Sequence, residues 1–463
     1  MKFLVTCMLL VVPVSVFAQI GWTPHIIETN FNGARSVYAI DMDGDTDIDV
    51  LAVATDVDQI AWWENDGNQN FTKHTVDSTF DGVNSVFAVD LDGQNGLDLV
   101  SVARFDNEIA WWENDGNQNF VKDSIDYTRN LPICVHAADI DGDTDTDVVT
   151  VIYNDHKVLW HENRFGTFVT RSIDDNADYP YSIHTDDIDG QNGTDVVVAM
   201  YGDSTICWYE NDGHPTPQFT KHLIPASDPF PGIRRVHTAD IDTDGDTDIL
   251  GAAYYANEIA WFENDGNENF TKHTLIDTFY EAQDVYAIDL DTDNDIDILG
   301  VSWTLKTIAW WENDGNENFS YHPIITNLDG AISVYAIDMD GDTDIDVLGA
   351  GSWGQHIVMW IESDLLGIED DQRNQVNISK LSLMTPTLFN DKAHVTYQLT
   401  KSGHVELAIY DINGELLEIL VDRHRDAGSY SVVWDTNDIS SGVYFVHLKI
   451  GARSIVKKAV ILK

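Results

Sequence analysis

The chain has 463 residues, of which 79 are Asp or Glu and 25 Lys or Arg, for a formal net charge of −54. A polyanion of this strength is repelled by nucleic acid and by anionic membrane surfaces, which are excluded as partners. Three cysteines are too few for a disulfide framework, whereas 43% apolar residues supply material for a large core.

Residues 1–18 carry one Lys, an apolar stretch through Val16 and a small residue at Ala18. This is the pattern of a secretory signal peptide cleaved before Gln19, so a bacterial extracellular or cell-surface protein is expected. Cys7 has no lipobox around it, and no later apolar run is long enough to span a bilayer as a helix. Cys134 and Cys207, the two cysteines left after cleavage, fall in strand-like runs and are expected as buried free thiols.

The chain is organised by the stretch Asp41 to Asp49, which places an acid at every second position and recurs from Asp90, Asp139, Asp187, Asp240, Asp289 and Asp338. A period near 50 residues means one supersecondary unit per repeat. Apolar runs on either side, Ser36 to Ile40 and Val50 to Val53 in the first copy, read as strand, loop, strand. Carboxylates crowded into one turn repel unless a cation collects them, and Ca²⁺ is the hard ion suited to such oxygen donors. The candidate ligands, loop by loop, are Asp41, Asp43, Asp45 and Asp49; Asp90, Asp92 and Asp98; Asp139, Asp141, Asp143 and Asp147; Asp187, Asp189 and Asp195; Asp240, Asp242, Asp244 and Asp248; Asp289, Asp291, Asp293 and Asp297; and Asp338, Asp340, Asp342 and Asp346. That allows up to seven calcium ions.

After each loop and its following strand comes a hairpin, first seen as Ile60 to Val76 around Asp66-Gly67, where glycine tolerates the positive φ of the turn. Its Trp recurs as Trp62, Trp111, Trp160, Trp208, Trp261, Trp310 and Trp360, a column expected to pack between repeats. Its His recurs as His25, His74, His222, His273 and His322, with Asp123 and Arg171 in the other two repeats, and is expected to be structural. Four strands (a to d) in each of seven units predict an all-β, seven-bladed β-propeller over 19–362. The last copy stops at its c strand, Ile357 to Ile361, while Trp22 to Ile27 aligns with a d strand, so the first strand is expected to complete the last blade.

Residues 363–378 are polar and acidic, the expected linker, and 379–463 hold alternating runs such as His404 to Tyr410 and Val443 to Leu448 that suggest a small Ig-like β-sandwich. This last segment holds 10 basic and 9 acidic residues, so the excess charge lies almost wholly before it.

The loops resemble the D-x-D-x-D-G-x-x-D calcium loops of FG-GAP and VCBS repeats, the units of integrin-like propellers. Asp240, Asp242, Asp244, Gly245 and Asp248 match in register, whereas loops one, three, six and seven carry Thr or Asn at the glycine position. Loops two and four keep three acids each and are expected to be weaker or empty. The succession Tyr410 to Gly414, Ala427-Gly428, Trp434-Asp435, Ser441 to Phe445 and Lys457-Lys458 resembles the C-terminal sorting domain of type IX secretion substrates of Bacteroidetes-type bacteria. That likeness implies secretion and attachment machinery as partner of 379–463.

In a propeller the a–b and c–d turns share one face, the d–a and b–c connections the other. The first face is nearly identical from repeat to repeat; the second varies and offers aromatics and arginines, among them Phe31, Phe80, Phe230 and Phe279. A glycan or protein ligand is expected there, with Arg234, Arg235, His237, Tyr254, Trp303 and Trp353 as candidate contacts. The leading expectation is a noncatalytic binding or adhesion protein. Alternatives are a carbohydrate-active enzyme, lyase or hydrolase, for which Arg234, Arg235, His237 and Tyr254 are the crowd to test, and a plain structural spacer.

Overall fold

Each repeat folds as an antiparallel four-stranded sheet. In the first the strands are Ala34–Ile40 (a), Asp49–Ala54 (b), Gln59–Asn65 (c) and Phe71–Asp77 (d). Register lines up Tyr38, Leu51, Trp62 and His74 across the sheet, from the innermost strand to the outermost. The computed structural model describes residues 19–366 apart from 95, 192, 225–228 and 355. Of the C-terminal part it describes 378–383, 388–389, 392–399, 403–411, 416–426, 428–435, 439, 442–450 and 453–461. The expected signal peptide and most of the expected linker lie outside these residues.

Among the described residues there are seven four-stranded sheets, the blades. Every b strand is buried at all six positions, for example Asp49–Ala54 and Asp297–Ser302. A strand in mid-blade has neighbouring blades on both faces, which is why these segments read as continuous apolar runs rather than alternating ones. Blades meet through shared apolar clusters. Trp62 packs with Phe80 and Trp112 of the next blade, Trp111 with Val135 and Leu159, and Trp208 with Phe230 and Phe262. At Gly300 a Cβ would lie 2.3 Å from Ile259 Cδ1 and 2.8 Å from the Trp311 ring, so a larger residue there would have to displace both side chains.

The ring closes as the strand count predicts. Gln19–Glu28 lies beside Ile357–Leu366 and completes the sheet of the last blade. Phe31 and Trp63 of the first blade share a cluster with Leu348 and Trp360 of the last. The closing c strand runs on to Leu366, so the first residues of the segment expected as linker belong to the blade. Pairing this strand removes an open edge.

The chain divides into two compact units at Leu365 and Leu366. The second unit contains a three-stranded sheet (Ile378–Leu383, Lys392–Leu399, Gly428–Asp435) and a five-stranded one in the order Leu388–Phe389, Arg453–Ile461, Gly442–Ile450, Gly403–Asp411, Leu416–Arg425. Val395, Tyr397 and Trp434 of the first share a core with Leu407, Ile409, Val446 and Leu448 of the second. Of the motif residues singled out here, Ile412, Asn413, Gly414, Ala427 and Ser441 lie outside the described residues.

Candidate functional site

The acidic loops gather their carboxylates. Asp41, Asp43 and Asp45 in the first loop offer oxygens within 4.8 Å of one another, and so do Asp90, Asp92 and Asp98, Asp139, Asp141 and Asp147, Asp187, Asp189 and Asp195, and Asp240, Asp242 and Asp248. Loops two and four, expected to be the weaker pair, bring the same three positions together as loops three and five. The position-5 acids Asp143 and Asp244 stand outside those trios. Buried oxygens of Asp141, Asp240 and Asp291 have no hydrogen-bond partner. Burial and the neighbouring carboxylates raise Asp43, Asp141 and Asp242 above the usual range. An all-oxygen, charged donor set with orphaned atoms fits a hard cation such as Ca²⁺. Its residues would be those at positions 1, 3 and 9 in loops two to five, and those at positions 1, 3 and 5 in the first.

Thr46, Thr144, Asn294 and Thr343, at the glycine position of that pattern, take φ of 82°, 78°, 77° and 85°, beside 98° for Gly245. The substitution leaves the backbone left-handed and stores strain in the loop instead.

The last acid of each loop has a second task. Asp49 Oδ2 accepts the Met42 N–H at 2.8 Å and Oδ1 accepts the Asn65 N–H at 2.7 Å, and Asp248 does the same with Ile241 (2.9 Å) and Asn264 (2.8 Å). Burial outweighs these bonds and pushes Asp49, Asp195 and Asp248 up to about 7. The Asn that ends the c strand in the first six blades, replaced by Ser363 in the seventh, reads in the sequence only as part of a hairpin, yet it staples blade to blade. Asn264 Nδ2 donates to Thr247 O at 3.2 Å in its own loop and to Ile188 O at 2.9 Å in the preceding blade. Asn211 reaches Ile140 O at 2.7 Å and Asn163 reaches Leu91 O at 2.5 Å in the same way. Its signal was a recurrence sixteen residues after the last acid, as in Asp49 and Asn65.

The opposite face, where connections vary, separates the candidate contacts. Arg234 lies 3.7 Å from the Tyr254 ring centroid, and Tyr254 continues into a run of tyrosines: Tyr255 (5.2 Å), Tyr201 (5.9 Å from Tyr255), then Tyr181 and Tyr153. Arg235 is instead held by buried Asp284 at 2.7 Å. His237 sits between the tilted rings of His184 and Tyr286 in the central channel. These residues therefore do not converge as one catalytic group. Trp303 and Trp353 adjoin one another at 6.2 Å, with Trp353 68% exposed. Phe31, Phe80, Phe230 and Phe279, expected on the ligand surface, are buried against Trp63, Trp112, Phe262 and Trp311. They anchor their loops to the core through these edge-to-face contacts.

A family of FG-GAP-like repeats matches residues 90–150, 187–251, 240–300 and 289–349. The chain carries FG-GAP-like repeats. A secretion system C-terminal sorting domain matches 386–462, which makes this a secreted or cell-surface protein that engages a secretion machinery. No helix among the described residues is long and apolar enough to cross a membrane. No curated protein matches the chain. Similar solved structures include a fungal alcohol oxidase of the AA5 family in complex with copper (11% identity, 96% of this chain and 99% of that one, TM-score 0.49). YCF48 from Cyanidioschyzon merolae (10%, 73% and 98%, 0.48) and a functionally unknown protein from Desulfotomaculum acetoxidans DSM 771 (14%, 82% and 98%, 0.43) are others.

Inside the ring of FG-GAP-like repeats the a strands place one aromatic each around the channel. Tyr38, Phe87, His136, His184, His237, Tyr286 and Tyr335 form an unbroken circle with neighbouring centroids 4.5–5.5 Å apart. They line a cavity of about 130 Å³. Burial holds the three imidazoles below their ordinary range, His184 at about 4. The His column of the d strands is separate. His74 stacks on Trp62 at 4.5 Å and bonds Glu64 at 2.7 Å, a pattern repeated by His222 with Trp208 and Glu210, and by His273 with Trp261 and Glu263. Cys134 and Cys207 are free and buried.

Proposed function

We propose that the protein is a calcium-stabilised, noncatalytic binding module of the cell surface. The acidic loops hold Ca²⁺ and stiffen one face, the variable face binds a glycan or protein ligand, and the sorting domain takes the chain out and attaches it. An N-terminal signal peptide over 1–18 carries it across the inner membrane first. The observation that carries the reading is the contrast between faces. One repeats the same acids and asparagines, and the other exposes a tyrosine run, Tyr255 at 62%, beside arginines. Flat aromatic rings next to fixed polar groups are the usual furniture of a sugar or protein site.

The mature chain is to be screened in calcium buffer on a glycan array, with depolymerisation of the bound polysaccharides assayed in parallel. Binding without bond cleavage, lost in Y255A/Y201A, is the expected result. Cleavage would move the protein to the carbohydrate-active enzymes, and binding untouched by those substitutions would put the site elsewhere.

A further inference from the structure

At the centre of the variable face, Arg35, Arg104 and Arg234 come together around the channel mouth with no acidic partner among the described residues. Arg35 Nη2 donates to the Tyr181 hydroxyl at 3.0 Å, Arg104 Nη1 to Asn84 Oδ1 at 3.4 Å, and Arg234 Nη1 to Gln283 Oε1 at 2.8 Å. The Nε atoms of Arg104 and Arg234 are buried and have no acceptor. Arginines elsewhere in the propeller are paired: Arg129 with Asp126, Arg164 and Arg171 with Glu162, Arg235 with Asp284. In a chain of 79 acidic and 25 basic residues, three guanidiniums left among neutral acceptors are a costly arrangement.

The electrostatics agree with the geometry. Burial raises the Tyr181 phenol, yet Arg35, Arg234, Arg104 and Arg235 together outweigh it and hold it below its ordinary value. Burial, with Arg35 and Arg234 alongside, lowers Arg104. The repeat itself does not require these charges, because the positions equivalent to Arg35 and Arg234 in the other blades are Asn84, Ile133, Tyr181, Gln283 and Ile332. Arg35, Tyr181 and Arg234 line a depression of about 30 Å³, room for one compact ionic group and not for a chain. Beside it stand Tyr201, Tyr254 and the exposed Tyr255.

We propose that the channel mouth is a subsite for one negatively charged sugar, its carboxylate or sulfate held by Arg35 and Arg234, with Arg104 adding positive charge from beside the depression, and the adjoining ring laid on Tyr201 and Tyr255. This rests on the variable face being the ligand face and names the class of ligand it takes. Guanidinium is the donor suited to planar carboxylate and to sulfate oxygens. A short acidic oligosaccharide touches only this positive spot. An acidic protein would bring a wide footprint against a strongly negative surface.

The test is calorimetric titration of the mature chain in calcium buffer with trigalacturonate, its neutral methyl ester, a sulfated oligosaccharide and its desulfated form. The acidic forms are expected to bind at least tenfold more tightly than their neutral counterparts, and the better of the two acids identifies the source of the anion. R35Q/R104Q/R234Q is expected to remove that preference with little change in melting temperature, which also separates the site from calcium bridging at the acidic loops. If the triple variant fails to fold, R234Q and displacement by inorganic sulfate carry the same test. Equal binding of neutral and acidic sugars, unaffected by R234Q, would overturn the subsite while leaving a glycan-binding module. No binding of any oligosaccharide by a folded chain would overturn both the subsite and glycan recognition.

Discussion

The two faces of the propeller are built from the same strands and obey opposite rules. On the acidic face, positions 1, 3 and 9 keep their Asp in all seven loops, and the last acid and the Asn after it bond within their own blade or to the one before, as Asp248 has Ile241 and Asn264, and Asn264 has Ile188. On the other face, equivalent positions hold Arg35, Asn84, Ile133, Tyr181, Arg234, Gln283 and Ile332. Repetition marks the groups that every blade junction needs, and variation marks what the ring as a whole uses once.

The strongest attempt to break this division is removal of calcium. A site contributes about 2.7 kcal/mol when free ion exceeds its dissociation constant a hundredfold, so emptying several lowers the melting temperature by roughly 10 °C or more. R35Q/R104Q/R234Q, on the other face, is expected to leave that temperature nearly unchanged. Differential scanning calorimetry with and without chelator measures both. A melting curve indifferent to chelator would remove the structural role of the acidic face.

A sharper version uses one side chain per face. Asn264→Ala deletes two Nδ2 donors and the Oδ1 acceptor for the Gly266 N–H, leaving backbone groups of two blades unpaired. Its cost is about 2–3 kcal/mol. Arg234→Gln is expected to cost less than about 0.5 kcal/mol in stability, because it removes a guanidinium whose buried Nε has no acceptor and leaves no backbone group unpaired. Urea denaturation compares them directly. Equal losses would mean that the variable face also holds the ring together.

How much of this was legible beforehand follows from the same division. Blade number, strand order and closure by Gln19–Glu28 could be read because the acidic loop and the Trp column repeat at fixed spacing. The Asn staple was in view and unread, since a recurring Asn beside Asp-Gly has a sufficient local explanation in the turn. The channel circle was hidden by its mixture of Tyr, Phe and His at one register position. Phe31 and its equivalents misled for a third reason: sequence gives a residue's place in a loop but not its burial, which tertiary packing decides.

Between the faces lies the channel, and acid probes it. An imidazole whose pKa falls on folding contributes no penalty above about 6.5, and below that the unfolded chain takes up a proton that the folded chain refuses. For His184 the penalty therefore grows as pH falls from about 6.5 to about 4, by roughly 1.4 kcal/mol per unit at most. Phe87 already occupies the equivalent place in the second blade, so His184→Phe keeps an aromatic in the circle. The difference in stability between H184F and the parent cancels every unaltered titrating group that responds alike in both. It is expected to favour H184F increasingly towards pH 4 in urea titrations, and a pH-independent difference would place His184 in contact with solvent.

The smallest effect tests whether the acidic face stores strain. Thr46 sits at φ 82°, where Gly245 sits at 98° in the loop that has glycine. A left-handed conformation costs an L-residue about 1–2 kcal/mol, while glycine loosens the unfolded chain by about 0.4–1 kcal/mol. The first term is the larger, and the backbone bond from Thr46 N–H to Asp41 Oδ2, at 2.9 Å, survives the change. Thr46→Gly is therefore expected to stabilise the calcium-free protein by about 0.5–1 kcal/mol, and Gly245→Thr to destabilise it by a similar amount, both read as shifts of the urea midpoint. If T46G were destabilising instead, the threonine side chain would be supplying a contact worth more than the strain. The loops with Thr at this position would then be a distinct design rather than a strained copy of the glycine loop.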